Sequence, residues 1–327
     1  MGAPTTTSRI QQAVFAGTPD ERAVFAVSGG IDSMVMLHAA AAVLPTRQMV
    51  VATFDHGSGL HAVAAADLVE RVAMSYGVTV TIGRAGPVDR PSEASWREAR
   101  LAFLRAAAME FSGTISMAHT RDDQVETVLF RELRGAGTRG LAGLAAPGSI
   151  RRPLLPFGRA DIADYALRAG VEWVDDPTNL DRGHARNRLR HELLPALRAV
   201  SPSIERDLVA IGEEAARWRA DLDRAIDERI VFSIGQGGVL DVSRETLDGY
   251  SDDALGIIWP ALLGRVGLAA DWRGTRRLVA FTNKGSTGQQ IQLSGGWTVH
   301  RKRRGFEVRR DGRGLATAGG AGISFRR

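Results

Sequence analysis

The segment Ser28-Gly29-Gly30-Ile31-Asp32-Ser33 has the residue types of a phosphate-binding turn. It follows an apolar run and opens a helix-like stretch. The glycines let the backbone approach an anion closely, and the free amides at the start of a helix point toward such an anion. The serines add hydroxyl donors, and Asp32 suits this place if Mg²⁺ lies between its carboxylate and a phosphate. We predict a phosphate site here. The alternative is an ordinary glycine-rich turn capped by Asp32.

A second group of reactive side chains follows another apolar run, at residues 118–127. His119 ends that run, and Asp123 and Glu126 stand three residues apart in the first turns of the next helix, so they share a face. Such a pair could hold cationic groups, and one carboxylate could accept a proton from an amine. The same pattern fits an acidic first turn that complements the helix dipole, with Thr120 and Asp123 as a capping box. Spacing alone leaves both readings open.

Several arginines are spaced to form basic stripes on helices. Arg97 and Arg100 are three residues apart, and Arg186 and Arg190, which flank Asn187, are four apart. Guanidinium groups in such stripes suit the phosphates of a nucleotide or a nucleic acid. Exposed arginines also occur without any such role, so these pairs are weak signals by themselves.

The positive charge is concentrated near the end of the sequence. Residues 1–149 and 150–269 carry net charges of −1 and −4, whereas residues 270–327 carry 13 basic and 3 acidic side chains. The run Arg301-Lys302-Arg303-Arg304 is the densest part. It predicts contact with a polyanion, most often nucleic acid. Charge alone is equally consistent with a solvated basic tail that binds no partner.

These groups need elements that bring them together. In the first half, short apolar runs alternate with helical patterns, which predicts βαβ units and a doubly wound parallel sheet. Ligands bind at the carboxyl ends of the strands in such sheets. Residues 28–33, 55–57 and 119–123 all follow predicted strands. We therefore expect the three clusters to converge on one edge of the sheet.

The later part of the sequence has a different residue pattern. Helical patterns run to about residue 230, and from Gly235 glycines, isolated strands and the basic run follow. We predict a catalytic α/β domain over residues 1–200, a helical linker over 201–235 and a smaller α+β domain over 236–327 that binds RNA.

Composition excludes several kinds of chemistry. The 327 residues include no cysteine, so disulfides, thiolate-bound metals and thiolate catalysis are excluded for this chain. We find no membrane-spanning stretch and no signal peptide. The expectation is a cytoplasmic globular protein without membrane contact, and a homodimer is compatible with the sequence.

The motifs as a group resemble a known family. The hexapeptide at residues 28–33 is similar to the PP-loop of ATP pyrophosphatases, which cleave ATP between the α and β phosphates to adenylate an oxygen. From about Val24 to Arg198, and weakly from Gly285 to Arg309, the chain resembles tRNA(Ile)-lysidine synthetases. The matching segments are Phe54–Gly57, Glu93 with Arg97–Arg100, Ala118–Thr127, Leu133–Gly135, Arg152–Leu155, Asp175–Asn179 and Arg186–Pro195. Departures occur at Leu101-Ala102-Phe103 and at Ser58-Gly59-Leu60, outside the groups implied to react.

The resemblance implies a PP-loop fold, like that of the adenine nucleotide α-hydrolases, and a two-step reaction. The C2 oxygen of cytidine at the first anticodon position of a tRNA(Ile) with a CAU anticodon attacks the α-phosphate of ATP, and free lysine then displaces AMP. It implies ATP and Mg²⁺ as cofactors. The implied sites are residues 28–33 with Asp55 and His56 for ATP, Asp32 for Mg²⁺, and Asp32, His119, Asp123 and Glu126 for catalysis. Arg97, Arg100, Arg186, Asn187, Arg190 and residues 301–304 are implied to contact tRNA.

Other readings remain open from the sequence. Another PP-loop enzyme, similar to a tRNA thiolase or to NAD synthetase, would share the loop, although thiolation is hard to support without cysteine. A non-catalytic RNA-binding protein on a degenerate nucleotide fold would keep the basic end, but the intact residues of the loop argue against it.

Overall fold

The computed structural model describes residues 5–18, 22–55, 57, 59–84, 93–175 and 185–310. The chain divides into two compact units, the first ending at Arg217 and the second beginning at Trp218. Each unit has a hydrophobic core of its own. Because the division falls inside one long helix, the domain limits near residues 200 and 235 stay predictions.

The first unit is built on a five-stranded sheet. The strands are β1 (Arg22–Ala26), β2 (Met49–Asp55), β3 (Thr79–Arg84), β4 (Gly113–Met117) and β5 (Ile150–Arg151). Their spatial order is β3-β2-β1-β4-β5, and each neighbouring pair is parallel.

Helices connect and cover these strands. They are α1 (Thr6–Ala16), α2 (Ile31–Val43), α3 (Leu60–Ser75), α4 (Glu93–Glu110), α5 (Arg121–Glu132), α6 (Thr138–Leu141), α7 (Arg159–Ala169), α8 (Ala185–Arg188), α9 (Leu194–Val200) and α10 (Ile204–Arg229), the helix that crosses into the second unit. Within the described residues, no helix is long and apolar enough to cross a membrane.

Both faces of the sheet are buried. Along β1, Ala23 and Phe25 join a core made with α1, α2, α3 and α7, whereas Val24 points into a separate core under α4. Alternate residues of a strand face opposite sides, so a strand with apolar residues on both faces needs to be covered on both. The doubly wound α/β fold expected from the sequence is confirmed.

The strand order explains why the polar clusters meet. From β1 the chain continues to β2 and β3 on one side of it, and then returns to form β4 and β5 on the other side. Such a reversal leaves a crevice at the carboxyl ends of the two strands beside it. Residues 28–33 follow β1 and His119 follows β4, so the crevice lies between them.

The helix region from Ala185 to Val200 contains a wider turn. Leu189–Leu193 adopts a π-helix between α8 and α9. Pro195 follows in the first turn of α9, and proline has no N–H to donate into the preceding turn. π-Turns change which way a side chain points and are frequent at functional sites. Arg190 lies in this turn.

The second unit is an α+β structure, as expected. Its strands are β6 (Phe232–Ile234), β7 (Leu240–Ser243), β8 (Gln290–Leu293), β9 (Trp297–Arg301) and β10 (Gly305–Arg310), and its helices, besides the end of α10, are α11 (Asp252–Arg265) and α12 (Trp272–Lys284). The sheet order is β6-β7-β10-β9-β8, with antiparallel neighbours. Side chains of α11, α12 and the sheet form one apolar core.

Candidate active site

The turn after β1 is held in shape by its own serines. The Ser33 hydroxyl donates to Gly30 O (2.8 Å) and accepts from Ser28 N (3.1 Å), and the two serine hydroxyls are 3.3 Å apart. Gly30 is the N-cap of α2 and supplies no side chain to the helix start. The first amides of α2 therefore stay available to an anion.

Gly29 fits a place that no other residue could take without strain. Its φ is +86°, in the left-handed region, and a Cβ there would lie 2.9 Å from the Cβ of Ala65 on α3. The Gly29 carbonyl accepts from Val174 N at 3.0 Å. The loop is thus pinned between α3 and the segment after α7, which orders its amides before any ligand arrives.

Asp32 lies in an electrostatically costly position. Burial raises its pKa from 3.8 to about 6, and repulsion from Asp123 and Asp122 adds to this, while Arg159 and Arg190 oppose it. Ionised carboxylates are disfavoured by desolvation and by like charges. These interactions place the start of α2 close to the start of α5, as the sequence predicted.

Asp123 takes part in the capping of α5. Its Oδ2 accepts from Thr120 N (2.8 Å) and from the Thr120 hydroxyl (3.1 Å). Its Oδ1 lies 3.6 Å from Nη2 of Arg186. The capping reading left open by the sequence therefore accounts for one oxygen of this carboxylate, and the other faces a cation.

Glu126 is the centre of an arginine cluster. The residue is 1% exposed, and Arg190 binds it through Nε at 2.6 Å and Nη2 at 3.0 Å. Arg159 and Arg186 donate to the same carboxylate at 3.0 and 3.1 Å. Both oxygens are thus engaged by protein cations. In this structure the Glu126 carboxylate contacts arginines of the protein itself, and its predicted catalytic role stays a prediction.

Arg159, which the sequence pattern did not single out, contacts both Asp122 and Glu126 of α5. Asp122 Oδ2 accepts from the backbone N–H of Arg159 at 2.9 Å, and Arg121 N donates to Phe157 O at 2.8 Å. These bonds join the starts of α5 and α7. No local spacing could reveal the pairing, because 33 residues separate Arg159 from its partner Glu126.

His119 lies buried among cations. Burial lowers its pKa to about 4; Asp123 opposes this, while Arg152, Arg100 and Arg186 add to it. The ring is therefore neutral at pH 7. Its Nδ1 is buried and has no hydrogen-bond partner among the residues described, and the same holds for Nε of Arg100 and of Arg152. Buried unpaired donors and acceptors are costly, which fits a site that a ligand completes.

The arginine pair of α4, Arg97 and Arg100, belongs to a larger group of arginines. Burial, and then repulsion from Arg97, lowers the pKa of Arg100, and Arg97 acts in the same sense on Arg131 and Arg152. The structure thus brings four arginines within electrostatic range of each other, where the sequence had indicated only two. Such a concentration of positive charge suits phosphate.

A cavity of about 300 Å³ opens beside Glu126. Both signs of charge line it: Asp122 and Glu205 as well as Arg159, Arg190 and Arg198, with Leu194 and Pro195 as apolar wall. A mixed lining of this kind fits a small zwitterion better than a purely anionic or apolar ligand.

The other predicted residues have mixed outcomes. Asp55 ends β2, where its Oδ1 accepts from Gly57 N at 2.8 Å and its Oδ2 lies 3.9 Å from Nε of Arg84. His56 lies outside the described residues. Asn187 is partly buried on α8, between Arg186 and the π-turn. Roles in nucleotide or RNA contact for these residues stay predictions.

The basic run at residues 301–304 is divided by the fold. Arg301 is 6% exposed and donates through Nη1 to Phe281 O (3.0 Å) and Thr282 O (2.6 Å). Lys302 pairs with Asp241 and Glu307. Arg301 thus stabilises the second unit from a buried position, whereas the ion-paired Lys302 remains exposed. Contact of these two residues with RNA stays a prediction. Arg303 and Arg304 are exposed, and their contact with RNA stays a prediction.

Comparison with known families decides the assignment of the first unit. Residues 3–197 match the model of a PP-loop domain. The chain belongs to the PP-loop family. The matched region of this ATP-binding domain contains the turn at residues 28–33, which the sequence predicts to be the PP-loop, as well as His119 and the start of α5.

Curated relatives of the chain carry one name. A tRNA(Ile)-lysidine synthase of Solibacter usitatus is 36% identical over 239 residues, covering 70% of this chain and 53% of that protein. A tRNA(Ile)-lysidine synthase of Xanthomonas campestris pv. campestris is 41% identical over 191 residues, covering 55% and 43%. The chain thus spans about half the length of the curated relatives it matches.

A solved structure shares the fold. The U34-tRNA thiolase NcsA from Methanococcus maripaludis superposes with a TM-score of 0.54 at 14% identity, covering 65% of this chain and 78% of that one. At this identity the likeness shows the fold alone. It agrees with the parallel sheet described above.

Proposed function

We propose that this protein is a tRNA-modifying ligase that converts the wobble cytidine, at position 34, of a tRNA(Ile) with a CAU anticodon to lysidine, using ATP and free lysine in the cytoplasm. The observation that carries the proposal is the set of relatives, which are 34–41% identical and are named tRNA(Ile)-lysidine synthases. The turn at residues 28–33, the cavity lined by both signs of charge and the group of four arginines support it, because they suit a phosphate, a small zwitterion and a polyanion.

In this proposal the PP-loop binds the phosphates of ATP. The first amides of α2 and the hydroxyls of Ser28 and Ser33 face the pyrophosphate, and the left-handed turn at Gly29 brings the backbone close to it. Attack of the cytidine O2 on the α-phosphate forms the O–P bond and releases pyrophosphate, whose charge the loop stabilises.

Asp32 fits a Mg²⁺ ion as a single protein ligand. Among the described residues no group of three His, Asp or Glu side chains could hold a metal by itself. Mg²⁺ in phosphate sites commonly takes one or two carboxylates, with phosphate oxygens and water filling the other positions. The raised pKa of Asp32 near Asp123 and Asp122 is the kind of repulsion that a cation relieves. The ion would neutralise phosphate charge.

We assign lysine to the cavity beside Glu126. Asp122 is a carboxylate in its lining, able to hold an ammonium group, and Arg159 and Arg190 can bind the amino-acid carboxylate. The amine nitrogen then forms a bond to C2, the C2–O bond to AMP breaks, and the amine proton passes to a nearby carboxylate. Asp123 is the carboxylate we assign to this step, because its Oδ1 is free of the helix cap.

The neutral His119 and the arginines around it are assigned to the cytidine and its flanking phosphates. A neutral ring can donate or accept a hydrogen bond at the reacting base, whereas a protonated one would be repelled by Arg100 and Arg152. Arg97, Arg100, Arg131 and Arg152 supply the positive charge for the RNA backbone.

The test is AMP release from ATP with purified tRNA transcripts. We expect release that needs both lysine and the CAU-anticodon tRNA(Ile), and a nucleoside that gains the mass of lysine less water in mass spectrometry. A tRNA(Met) transcript, which also carries a CAU anticodon, is the matched control. AMP release that is independent of lysine, or that occurs without RNA, would remove the assignment in favour of another PP-loop activity.

A second experiment separates the two steps. Asp123→Asn keeps the size of the side chain, so we expect adenylation of the tRNA from α-labelled ATP to persist when lysine is absent. The lysine concentration needed for half-maximal transfer should rise by about tenfold to a hundredfold, since a charge-assisted hydrogen bond contributes about 1.5–3 kcal/mol. Loss of adenylation with ordinary lysine dependence would place Asp123 on the nucleotide.

A further inference from the structure

The exposed face of α12 in the second unit is more basic than the fold requires. Arg273, Arg276, Arg277 and Lys284 are all exposed, and α12 contains no acidic residue. The structure shows no ion pair between these four cations and any residue it describes. Successive residues of an α-helix are about 100° apart around its axis. The four cations and Trp272 therefore lie within an arc of roughly 140° on one side of α12. The face is thus a continuous positive strip.

An exposed tryptophan heads this strip. Trp272 is 69% exposed, and Arg276 lies over its ring with Cζ 4.8 Å from the centroid. Large aromatic side chains usually bury most of their surface, so a tryptophan left in water at a basic surface needs an explanation. Since one guanidinium partly covers the indole, the remaining face and edge are open to a partner.

The strip is held rigidly in place. Asp271 caps the helix by accepting from Gly274 N at 2.6 Å, so Trp272 lies in an ordered first turn. On the opposite side of α12, Leu278 and Phe281 enter the core of the unit, and Thr282 accepts from Trp259 Nε1 at 2.8 Å. Substitution on the exposed side should therefore leave the fold intact.

We propose that this strip is an RNA-docking surface, on which Arg273, Arg276 and Arg277 bind backbone phosphates and Trp272 packs against a base or ribose. The inference rests on the proposed function, and it places the RNA contact on α12 in addition to Arg303 and Arg304. Charge complementarity selects the partner: residues 270–310 carry 10 basic and 2 acidic side chains. A second copy of the chain would bring like charge against like charge, and aromatic–arginine pairs are common on RNA-binding surfaces.

The test measures RNA binding directly, without catalysis. Fluorescence anisotropy follows a labelled tRNA(Ile) transcript with the full chain across a salt series. For Arg273→Glu/Arg276→Glu/Arg277→Glu we expect at least about tenfold weaker binding and a log–log salt slope that is smaller by about 2 to 3, because each lost phosphate contact removes about 0.7 to 0.9.

Trp272 gives a different signature. For Trp272→Ala we expect about 5- to 100-fold weaker binding with little change in salt slope, since stacking is not a charge contact. Trp272→Phe should recover part of the loss. Circular dichroism melting checks that each variant is folded, as expected for substitutions on an exposed face.

The matched control reverses three exposed arginines elsewhere. Arg206→Glu/Arg217→Glu/Arg229→Glu on α10 changes the net charge by the same amount, and we expect it to cost much less affinity. Equal losses in both triple variants would show long-range attraction without a docking surface and would overturn the proposal. Unaltered tRNA binding in the α12 variants would overturn it as well, even if lysidine formation is demonstrated. Binding that depends on α12 in a protein that forms no lysidine would support the surface and refute the proposed function.

Discussion

Asp32→Asn should make the ligand-free protein more stable at neutral pH while abolishing its ATP-dependent activity. A cation bound together with the substrate would stabilise the ionised Asp32 carboxylate. Without that cation the carboxylate is desolvated and is repelled by Asp123 and Asp122. An amide of the same size removes the charge and keeps the shape. Functional sites often carry such a cost in stability.

The magnitude follows from the pKa. A rise from 3.8 to about 6 corresponds to about 3 kcal/mol at about 1.36 kcal/mol per pKa unit. Below pH 3.8 the carboxyl is protonated in the folded and the unfolded chain. As the pH rises the unfolded chain ionises first, so stability falls until the folded pKa near 6 is passed. Between pH 4.5 and pH 8 the free energy of unfolding of the wild type should fall by about 2 kcal/mol relative to that of the variant. Because Asp32 is only partly buried, solvent screening makes this an upper value.

The assay is thermal or urea unfolding of both proteins from pH 4.5 to pH 8 in the absence of nucleotide and metal. For a unit of this size about 2 kcal/mol corresponds to roughly 4–8 °C in Tm. The difference in stability between variant and wild type should grow from pH 4.5 to a little above pH 6 and then stay constant up to pH 8. Adding ATP with Mg²⁺ should stabilise the wild type more than the variant, because the bound cation removes the penalty and binding to the folded state raises stability.

A difference between the two proteins that does not vary with pH would refute this reasoning, because it would show an ordinary packing or capping effect. A variant less stable than the wild type at pH 8 would do the same, and would mean that the favourable interaction of Asp32 with the N-terminus of α2, about 0.3–1 kcal/mol, outweighs its desolvation.

Three further predictions concern the same unit. Glu126→Gln should cost up to about 3 kcal/mol in urea unfolding, because it removes the buried counter-charge that three partly exposed guanidinium groups share. Glu205→Gln, in an exposed pair, should cost less than about 1 kcal/mol, and similar costs for the two variants would argue against the cluster. Gly29→Ala should abolish ATP binding in calorimetry while Gly148→Ala, at an open position, leaves it intact, and retained binding would mean that the loop tolerates the strain. His119, with a pKa lowered to about 4, should stay neutral at pH 5.5 in an NMR titration, and its contribution to stability is complete above pH 6.5 and lost as the pH falls toward 4. A midpoint near 6.5 would contradict the buried setting.

Local pattern was sufficient for the elements on either side of the turn at residues 28–33. Strand β1, the turn at residues 28–33 and helix α2 are contiguous, so apolar run, glycines and helical periodicity lie in one window and each supports the next. The same holds for β4, His119 and α5. Because parallel strands place their carboxyl ends on one edge, the meeting of these clusters also followed from the alternation of strands and helices.

The roles within the site did not follow from pattern. Asp123 and Glu126 look equivalent in the sequence, yet Asp123 shares its carboxylate between the helix cap and Arg186, while Glu126 is enclosed by three arginines. Those arginines lie 33 to 64 residues further along the chain. Which cation reaches which carboxylate depends on the packing of α7 and the π-turn against α5.

The basic end of the chain shows the same division between sequence and structure. Composition by itself determined that positive charge gathers after residue 270, because charge is a sum over residues and needs no geometry. Only the tertiary structure decided that Arg301 is enclosed beneath α12 while Trp272 and Arg276 remain in water. Burial depends on which face of each strand and helix meets the core, and that choice is made by residues distant in the chain.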